Sequence, residues 1–319
     1  MKLIIQIPCY NEAGALPATL KDLPRKVAGF NSVEWLVIND GSTDGTAEIA
    51  RKSGVDHIVN FTKNQGLAKG FLAGLDVCLK LGADVIVNTD ADNQYLAADI
   101  PALTAPILAG SADIVVGERP INEIAHFSLV KKMLQKIGSA VVRFFSKANI
   151  PDAPSGFRAM SREAALRLNV FNDYTYTLET LIQAGQKNMA IISVPVRVNE
   201  AVRPSRLVKS IPSYLWKSIV TIVRIFVVYK AFRFFMSVGV ILFSLGVLVG
   251  LRFLYYFVVT GNSGGHVQSL ILSSILLGIG FQTMLTAFLA DLLAVNRRLV
   301  EDIQYRMKVS EFSGNTPRK

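Results

Sequence analysis

Over residues 1–200, short apolar runs alternate with segments whose apolar positions recur every three or four residues. Runs at 3–7, 35–38, 57–61, 85–88, 114–116 and 190–196 have the length and β-branched content of strands. Helical spacing begins near Ala15, Thr46, Gly66 and Ile100, continues through a longer stretch at 128–146, and returns after Ser161 and near Thr177. Strands alternating with helices predict an α/β fold with a mostly parallel, twisted sheet covered on both faces. No internal repeat or low-complexity segment interrupts the pattern.

Beyond residue 200 the pattern changes. Between 211 and 230, Ser213, Lys217, Thr221 and Arg224 form one narrow polar stripe on an otherwise apolar and aromatic helix that includes Tyr214, Trp216 and Phe226. Such a helix lies in a membrane interface or is buried in the core of the first domain. Residues 234–251 form an uncharged run of 18 and residues 267–290 a second, each long enough to cross a bilayer as a helix. Gly246 and Gly250, with Ala287, Ala290 and Ala294, offer small-residue faces that pack the two helices together or join copies of the chain; packing within the chain is the first expectation. Leu299, Ile303 and Met307 keep four-residue steps, which predicts a short amphipathic helix in the tail. The expected organisation is therefore a domain at 1–210, interface helices at 211–231, a two-helix transmembrane hairpin at 232–295 and a tail at 296–319.

A formal charge of +10 raises the question of nucleic acid, but its placement answers it. Eight basic residues (Arg197, Arg203, Arg206, Lys209, Lys217, Arg224, Lys230 and Arg233) stand against Glu200 directly before the first long apolar run. That arrangement predicts attraction to anionic lipid and a positive-inside orientation, and it excludes nucleic-acid binding. The connection at 260–266 has no Lys or Arg while Arg297 and Arg298 follow the second run, so both ends of the pair are expected on the cytoplasmic side. The chain opens directly on a strand-like segment without a secretory leader, which places the first domain there too. Cys9 and Cys78 are too few for a disulfide framework and are expected as buried thiols.

The candidate chemistry begins at Asp90-Ala91-Asp92, immediately after the apolar run 83–88. Two carboxylates one residue apart at the tip of a buried strand direct hard oxygen ligands into the crevice where α/β sheets bind ligands, and suit Mg²⁺ or Mn²⁺ bridging a diphosphate. Gln94 is a further candidate ligand. Asp40, at the end of the second strand, is placed to accept hydrogen bonds from a base or ribose, and Tyr10 and Glu12 follow the first strand at the same sheet edge. Pro8 is expected to end that first strand. Arg119, just beyond the run at 114–116, supplies a positive charge for phosphates or is simply solvated. Neither G-x-G-x-x-G nor G-x-x-x-x-G-K-[ST] occurs, so a dinucleotide dehydrogenase or P-loop nucleotidase is not supported.

The ordered set Pro8-x-Tyr10-Asn11-Glu12, Asn39-Asp40-Gly41-Ser42-Thr43-Asp44-Gly45-Thr46, Asp90-Ala91-Asp92-x-Gln94, Gly117-x-Arg119 and Ser155-Gly156-Phe157-Arg158 resembles the inverting glycosyltransferases of family 2. More narrowly it is similar to their polyisoprenyl-phosphate group, over residues 1–210 and again in the paired apolar runs. The resemblance implies a GT-A (Rossmann-like) fold, a GDP- or UDP-sugar donor, a divalent metal and a polyprenyl phosphate acceptor delivered from the bilayer. It would place donor contacts on Pro8, Tyr10, Glu12 and Asp40, the metal on Asp90, Asp92 and Gln94, and phosphate contacts on Arg119 and on Ser205-Arg206. Many relatives carry Ser-Lys at that last pair, preceded by Gly and a further upstream Arg. Here Pro204 and Arg203 occupy the intervening and Gly positions and Glu200 lies where the Arg is common, which makes Arg203 and Lys209 alternative acceptor contacts.

A phosphate monoester is already largely anionic at neutral pH, with a second pKa near ~6, so such an acceptor needs no general base. None of His57, His126 and His266 has the setting of one. Glu179 stands near the place of a catalytic carboxylate in hydroxyl-directed relatives, or is a helix-start acid. A processive polysaccharide synthase would resemble the first domain but carries a Gln-x-x-Arg-Trp motif absent here. A membrane-anchored nucleotide-sugar-binding protein without catalysis is the alternative from another class.

Overall fold

The computed structural model describes residues 1–120, 148–170, 176–199, 229–260 and 267–313, with single positions within 139–146 and 220–227. Two units are distinguished: Met1–Ser218 with Tyr305–Lys319, and Ile219–Gln304.

The first unit is built on a seven-stranded sheet: β1 (Lys2–Cys9), β2 (Ser32–Asn39), β3 (His57–Asn60), β4 (Val85–Asn88), β5 (Ile114–Glu118), β6 (Arg158–Ser161) and β7 (Ile191–Pro195), in the order β3-β2-β1-β4-β6-β5-β7. The helices of this unit are α1 (Leu16–Asp22), α2 (Thr46–Lys52), α3 (Leu67–Lys80), α4 (Ile100–Leu108), α5 (Arg162–Arg167) and α6 (Thr177–Gln186). Central strands β1 and β4 read Leu-Ile-Ile-Gln-Ile and Val-Ile-Val-Asn and are buried on both faces, as strands of a covered parallel sheet require. Four pairings are parallel, β1 with β2 and β4, β2 with β3, and β5 with β7, whereas β6 runs antiparallel to β4 and β5.

All six strands expected from the apolar runs are present. β6 was not expected: it is four residues long, opens on a charge and is followed at once by α5, so no periodicity exposes it. Pro8 does not end β1, because the strand continues through Cys9 with Pro8 opposite Ile38. The long helical stretch at 128–146 falls mostly outside the described residues, and its described positions 139, 140, 142–144 and 146 are helical. The striped segment at 211–219 also lies outside them.

Register positions the site. Cys9 is opposite Asn39, and Gln6 is opposite Asn88, so the segments leaving β1, β2 and β4 emerge along one edge of the sheet, at the carboxyl ends of parallel strands. Below that edge, Leu3, Ile5, Ile7, Val37, Val85, Val87, Ile100, Leu103 and Phe157 form the core on one face. On the other face α3 approaches β1 closely: a Cβ at Gly74 would lie 2.4 Å from Gln6 Oε1 and 2.9 Å from Ile38 Cδ1. Cys9 and Cys78 are buried and unpaired, and burial raises both thiols well above their ordinary range.

The second unit contains α7 (Ala231–Thr260) and most of α8 (Val267–Ser313), two helices long and apolar enough to cross a membrane. Few residues of their apolar windows are buried within the chain, which distinguishes them from the core helices of a soluble domain. They approach each other through small residues: a Cβ on Gly246 would lie 2.9 Å from the Leu277 nitrogen, one on Gly280 2.6 Å from the Phe243 nitrogen, and Ser273 Oγ donates to the Gly246 carbonyl at 2.7 Å. Ala287 is fully buried in the same helix. Helix α8 runs unbroken to Ser313, and its last turns belong to the first unit, where Tyr305 donates to Glu163 (2.9 Å), Lys308 pairs with Asp76 (3.3 Å) and Arg162 Nη2 donates to the Phe312 carbonyl (3.2 Å).

The tight α3–β1 contact gives a stability prediction. Gly74→Ala forces its methyl into Gln6 and Ile38 and is expected to destabilise the first unit by about 1–3 kcal/mol; thermal unfolding of the full chain checks it, and an unchanged midpoint would contradict the contact.

Candidate active site

The segments leaving β1 and β2 are laced together. Asn11 takes φ +54°, a conformation Asn tolerates better than most side chains. Its backbone nitrogen donates to Ser42 Oγ (2.9 Å) while its side-chain oxygen accepts from the Thr43 nitrogen (2.8 Å). The nitrogens of Glu12 and Ala13 donate to Thr46 Oγ1 (2.9 Å) and Asp44 Oδ2 (3.0 Å). Burial works against the charge on Asp44, but hydrogen bonds from Thr46 and Ala13 outweigh it and hold the carboxyl below its ordinary value. The Ser42-Thr43-Asp44 part of the motif thus fixes the shape of the edge.

Asp40 is almost wholly buried, and its two oxygens accept from the nitrogens of Gln65 (2.6 Å) and Gly66 (2.9 Å). It therefore organises the segment opening α3, with its remaining lone pairs available to a ligand. Tyr10 is 46% exposed at the same edge, whereas Glu12 is buried within electrostatic reach of Asp90. Pro8 packs beneath α3, its Cβ 3.9 Å from where a Cβ on Gly70 would stand.

At the tip of β4, Asn88 bridges the sheet. It accepts from Gln6 Nε2 (3.0 Å) and donates to the Gly156 carbonyl (2.8 Å) and Tyr176 hydroxyl (2.9 Å). Two residues on, the Asp90 carboxylate faces Gly156 so closely that a Cβ there would lie 2.9 Å from Asp90 Oδ1, which explains the glycine. Gly156 is further held by donating its N–H to the Tyr95 hydroxyl (3.0 Å), and Tyr95 stacks on Phe157 with ring centroids 4.9 Å apart. Burial first, and the adjacent Asp92 charge second, push the Asp90 carboxyl from 3.8 up to about 7, against the opposing pull of Arg119 and Arg158. Asp92 is half-buried, and its Oδ1 accepts from the Gln94 nitrogen at 3.2 Å.

Arg119 is 8% exposed and committed to Asp152, which is fully buried: Nε donates at 2.7 Å and Nη2 at 3.0 Å, a two-pronged grip. It is thus a buried, oriented charge within reach of Asp90, not a solvated one. Arg158 is 1% exposed, donates to Thr177 O (3.2 Å), Thr180 Oγ1 (2.9 Å) and Ala153 O (3.3 Å), and has no hydrogen bond at Nε among the described residues. Burial lowers its pKa, an effect that the Asp90 and Asp152 charges oppose.

The structure therefore brings Glu12, Asp90, Asp92, Gln94 and Arg119 to one end of the sheet, with Tyr10 and Asp40 along the same edge. Arg203, Ser205, Arg206 and Lys209 lie outside the described residues, as do His126 and His266. His57 is bonded to Glu34 at 2.7 Å at the start of the outermost strand β3, separated from β4 by β2 and β1, and Glu179 is buried in the first turn of α6. The sequence gives no local signal for Asp152, whose partner lies 33 positions away, nor for Tyr95 and Tyr176. Among the described residues no three of His, Cys, Asp and Glu converge as a ready-made metal cage. A divalent ion at Asp90 and Asp92 would draw its other oxygens from a bound diphosphate and water, as Mg²⁺ commonly does. Burial of Asp90 and, second, its repulsion by Asp92 are the conditions that such an ion would relieve.

Without a bound ion, Asp90 is expected to titrate near 7, followed by carboxyl ¹³C shifts. Because its folded value is raised above the unfolded one, the contribution to stability is full below 3.8 and is lost as pH rises through about 7. Asp92→Asn removes the neighbouring charge and should move this titration to lower pH; an unmoved titration would contradict the coupling.

Comparison with known proteins completes the picture. The sequence profile described as Glycosyl transferase family 2 matches residues 4–168. Among similar curated proteins are an undecaprenyl-phosphate mannosyltransferase of Micrococcus luteus, 28% identical over 61% of this chain and 83% of its own, and a polyprenol monophosphomannose synthase of Mycolicibacterium smegmatis, 27% identical over 62% and 78%. A UDP-N-acetylglucosamine–dolichyl-phosphate N-acetylglucosaminyltransferase of Methanococcus voltae is 27% identical over 60% and 83%. In fold, the chain is similar to glucosyl-3-phosphoglycerate synthase of Mycobacterium tuberculosis, solved with Mn²⁺ and UDP, with a TM-score of 0.53 at 18% identity over 69% of this chain and 79% of the other. The sheet with its antiparallel β6 is the GT-A arrangement. With more than half its length matched and the motif residues gathered at one sheet edge, the chain belongs to glycosyl transferase family 2 and is a glycosyltransferase of GT-A fold.

Proposed function

We propose that this chain transfers a hexose-type sugar, with inversion, from a GDP- or UDP-sugar to a polyprenyl phosphate at the cytoplasmic face of a membrane, in a reaction that requires Mg²⁺ or Mn²⁺. The observation that carries this reading is the charge balance at the end of β4. Among the described residues, Glu12, Asp90, Asp92 and Asp152 set four acids against the two arginines Arg119 and Arg158, and Asp152 orients Arg119 through an ion pair. A crevice with such an acidic surplus repels a diphosphate unless a cation accompanies it. The named relatives that act on undecaprenyl, polyprenol and dolichyl phosphates support the acceptor class, and the two long apolar helices supply a route to a lipid.

In this reading Asp90, Asp92 and Gln94 hold the ion, which when bound neutralises charge growing on the departing diphosphate. Tyr10, Glu12, Asp40 and Pro8 shape the nucleoside side of the crevice. Asp40 keeps the Gln65–Gly66 turn in place while its free lone pairs face the donor. Arg119, oriented by Asp152, presents a fixed positive charge toward phosphate oxygens. Arg203, Ser205, Arg206 and Lys209 receive the acceptor phosphate, whose own oxygen attacks the anomeric carbon. Since that oxygen is anionic at neutral pH, no side chain has to remove a proton. An α-linked donor then gives a β-linked lipid-phospho-sugar. Basic residues before α7 and after the apolar part of α8 support the reading that both termini and the first domain are cytoplasmic. Copies of the chain can associate through the apolar helices.

The test offers purified full-length protein a panel of GDP- and UDP-sugars with Mg²⁺ or Mn²⁺ and a short polyprenyl phosphate, identifying lipid products by mass. A lipid-phospho-sugar is expected, and Asp92→Asn should lower its formation by about a hundredfold or more, of the order seen when charge stabilisation of a transition state is removed. Unchanged ion-dependent turnover in that variant would remove the proposed site, and donor binding without any lipid product would favour a non-catalytic binding protein.

A further inference from the structure

The segment just after β7 does something the strand pattern does not require. Residues 197–199 fold back as a strap on 94–96, the loop that follows Asp92. Tyr95 and Val198 form an isolated antiparallel bridge, the Leu96 nitrogen donates to the Arg197 carbonyl (3.2 Å), and the Asn199 nitrogen donates to the Gln94 carbonyl (2.9 Å). Side chains extend the grip at both ends. Asn199 Nδ2 donates to the Asn93 carbonyl (3.0 Å), while Arg197 Nε donates to Asp99 Oδ1 (3.1 Å) and its backbone nitrogen to Asp99 Oδ2 (2.7 Å).

The loop needs such a grip. Asn93, between Asp92 and Gln94, stands at φ +55°, a left-handed conformation that Asn tolerates better than most side chains but adopts less readily than glycine, so the tether helps to hold it there. The tether reaches the carboxylate through one residue: Asn199 N–H binds the Gln94 carbonyl, and Gln94 N–H binds Asp92 Oδ1 at 3.2 Å. Four positions beyond Asn199 the chain enters the basic stretch that begins at Arg203.

We propose that Asn199 and Arg197 are positioning residues for the ion-binding loop: the strap holds Asn93 left-handed and thereby aims Asp92 and Gln94 at the divalent cation. This rests on the ion site of the proposed function, and it assigns to the end of β7 a share in binding the ion that lies in neither the acidic motif nor the arginine motifs. Outer partners that orient ligating groups commonly change metal affinity by about 10–100-fold when removed. The strap acts on a backbone conformation, which gives it a distinctive signature. Glycine adopts positive φ readily, so Asn93→Gly should make the loop independent of Asn199.

The experiment titrates Mn²⁺ into the full-length protein with GDP and, separately, UDP, following free ion by EPR, and records thermal unfolding of each variant. Asn199→Ala, which removes the Nδ2 bond to the Asn93 carbonyl and keeps the backbone bond to Gln94, is expected to weaken Mn²⁺ binding about tenfold with its unfolding midpoint little changed, and Asn93→Gly/Asn199→Ala to recover binding to within about twofold of the wild type, a non-additive pair. Should Asn199→Ala fail to fold, Arg197→Gln, which removes the guanidinium bonds to Asp99 but keeps the backbone bond to Asp99 and the Asn199 bonds, is expected to show a weaker loss of the same kind. If Asp92→Asn abolishes Mn²⁺ binding while Asn199→Ala and Arg197→Gln bind as the wild type does, the strap's role is overturned and the ion site stands. Equal weakening in Asn199→Ala and the double variant also overturns it, since that is the mark of general structural damage. If the wild type binds no Mn²⁺ with either nucleotide, the ion site and the strap fall together.

Discussion

A carboxylate in partly desolvated surroundings, pressed by a second carboxylate and steadied by two buried arginines, sets the terms for the rest of the first unit. Asp90 sits at the tip of β4, against the backbone of Gly156 and within reach of Asp92, Glu12, Arg119 and Arg158. Each neighbour is held by something else. Arg119 is clasped by Asp152, Arg158 is pinned by carbonyls and Thr180, and Gly156 is anchored by Tyr95 and Asn88. Buried charges are costly unless paired and hydrogen-bonded, so a cluster this dense persists only where the surrounding fold over-determines it. The antiparallel β6 is the element that makes this possible, since it inserts Arg158 beside Asn88 in register and brings Gly156 up to the acid.

That element is also the one hidden in the sequence. The parallel strands were legible because burial on both faces leaves continuous apolar runs, and the acidic pair was legible because it terminates one of them. Ser155-Gly156-Phe157-Arg158 was visible as a motif, but its chemistry lies in contacts across the sheet that no local spacing encodes. Asp152 illustrates the same limit: nothing within several residues of it announces a partner, and its meaning comes from Arg119 alone. Arg119, conversely, read equally well as solvated or functional until burial decided the matter. Local propensity and periodicity specify elements, whereas pairing between distant polar groups is a property of the assembled fold.

The apolar helices show the opposite balance. Length and lack of charge announced them directly, and Gly246 and Gly250 do face the second helix, but they meet Leu277 and Ser273 there, and Gly239 and Gly280 extend the contact. Less visible was the reach of α8, which continues past its apolar part into the first unit and ends among Asp76, Lys80, Arg162 and Glu163. Leu299, Ile303 and Met307, the apolar steps that suggested an amphipathic tail, are exposed; the residues that dock are Tyr305, Lys308 and Phe312. Polar and aromatic contacts, not the apolar stripe, select the face.

The acceptor's chemistry accounts for the kind of machinery gathered at the sheet edge. A hydroxyl acceptor would call for a base of tuned pKa beside the reacting carbon, yet among the described residues His57 is engaged with Glu34 in the outermost strand β3 and Glu179 is buried in α6. A phosphate acceptor instead presents the problem of bringing two anions, donor diphosphate and lipid phosphate, into a crevice that is itself acidic. Coulomb repulsion between such groups at ~4 Å is of the order of several kcal/mol at the effective dielectric of a protein surface. Fixed cations must therefore outweigh proton transfer as the main requirement. In the proposed reading, a buried arginine held by Asp152, a cation between two aspartates and a basic stretch following the strap at 197–199 would meet that requirement in three places, each supplied by a different part of the chain.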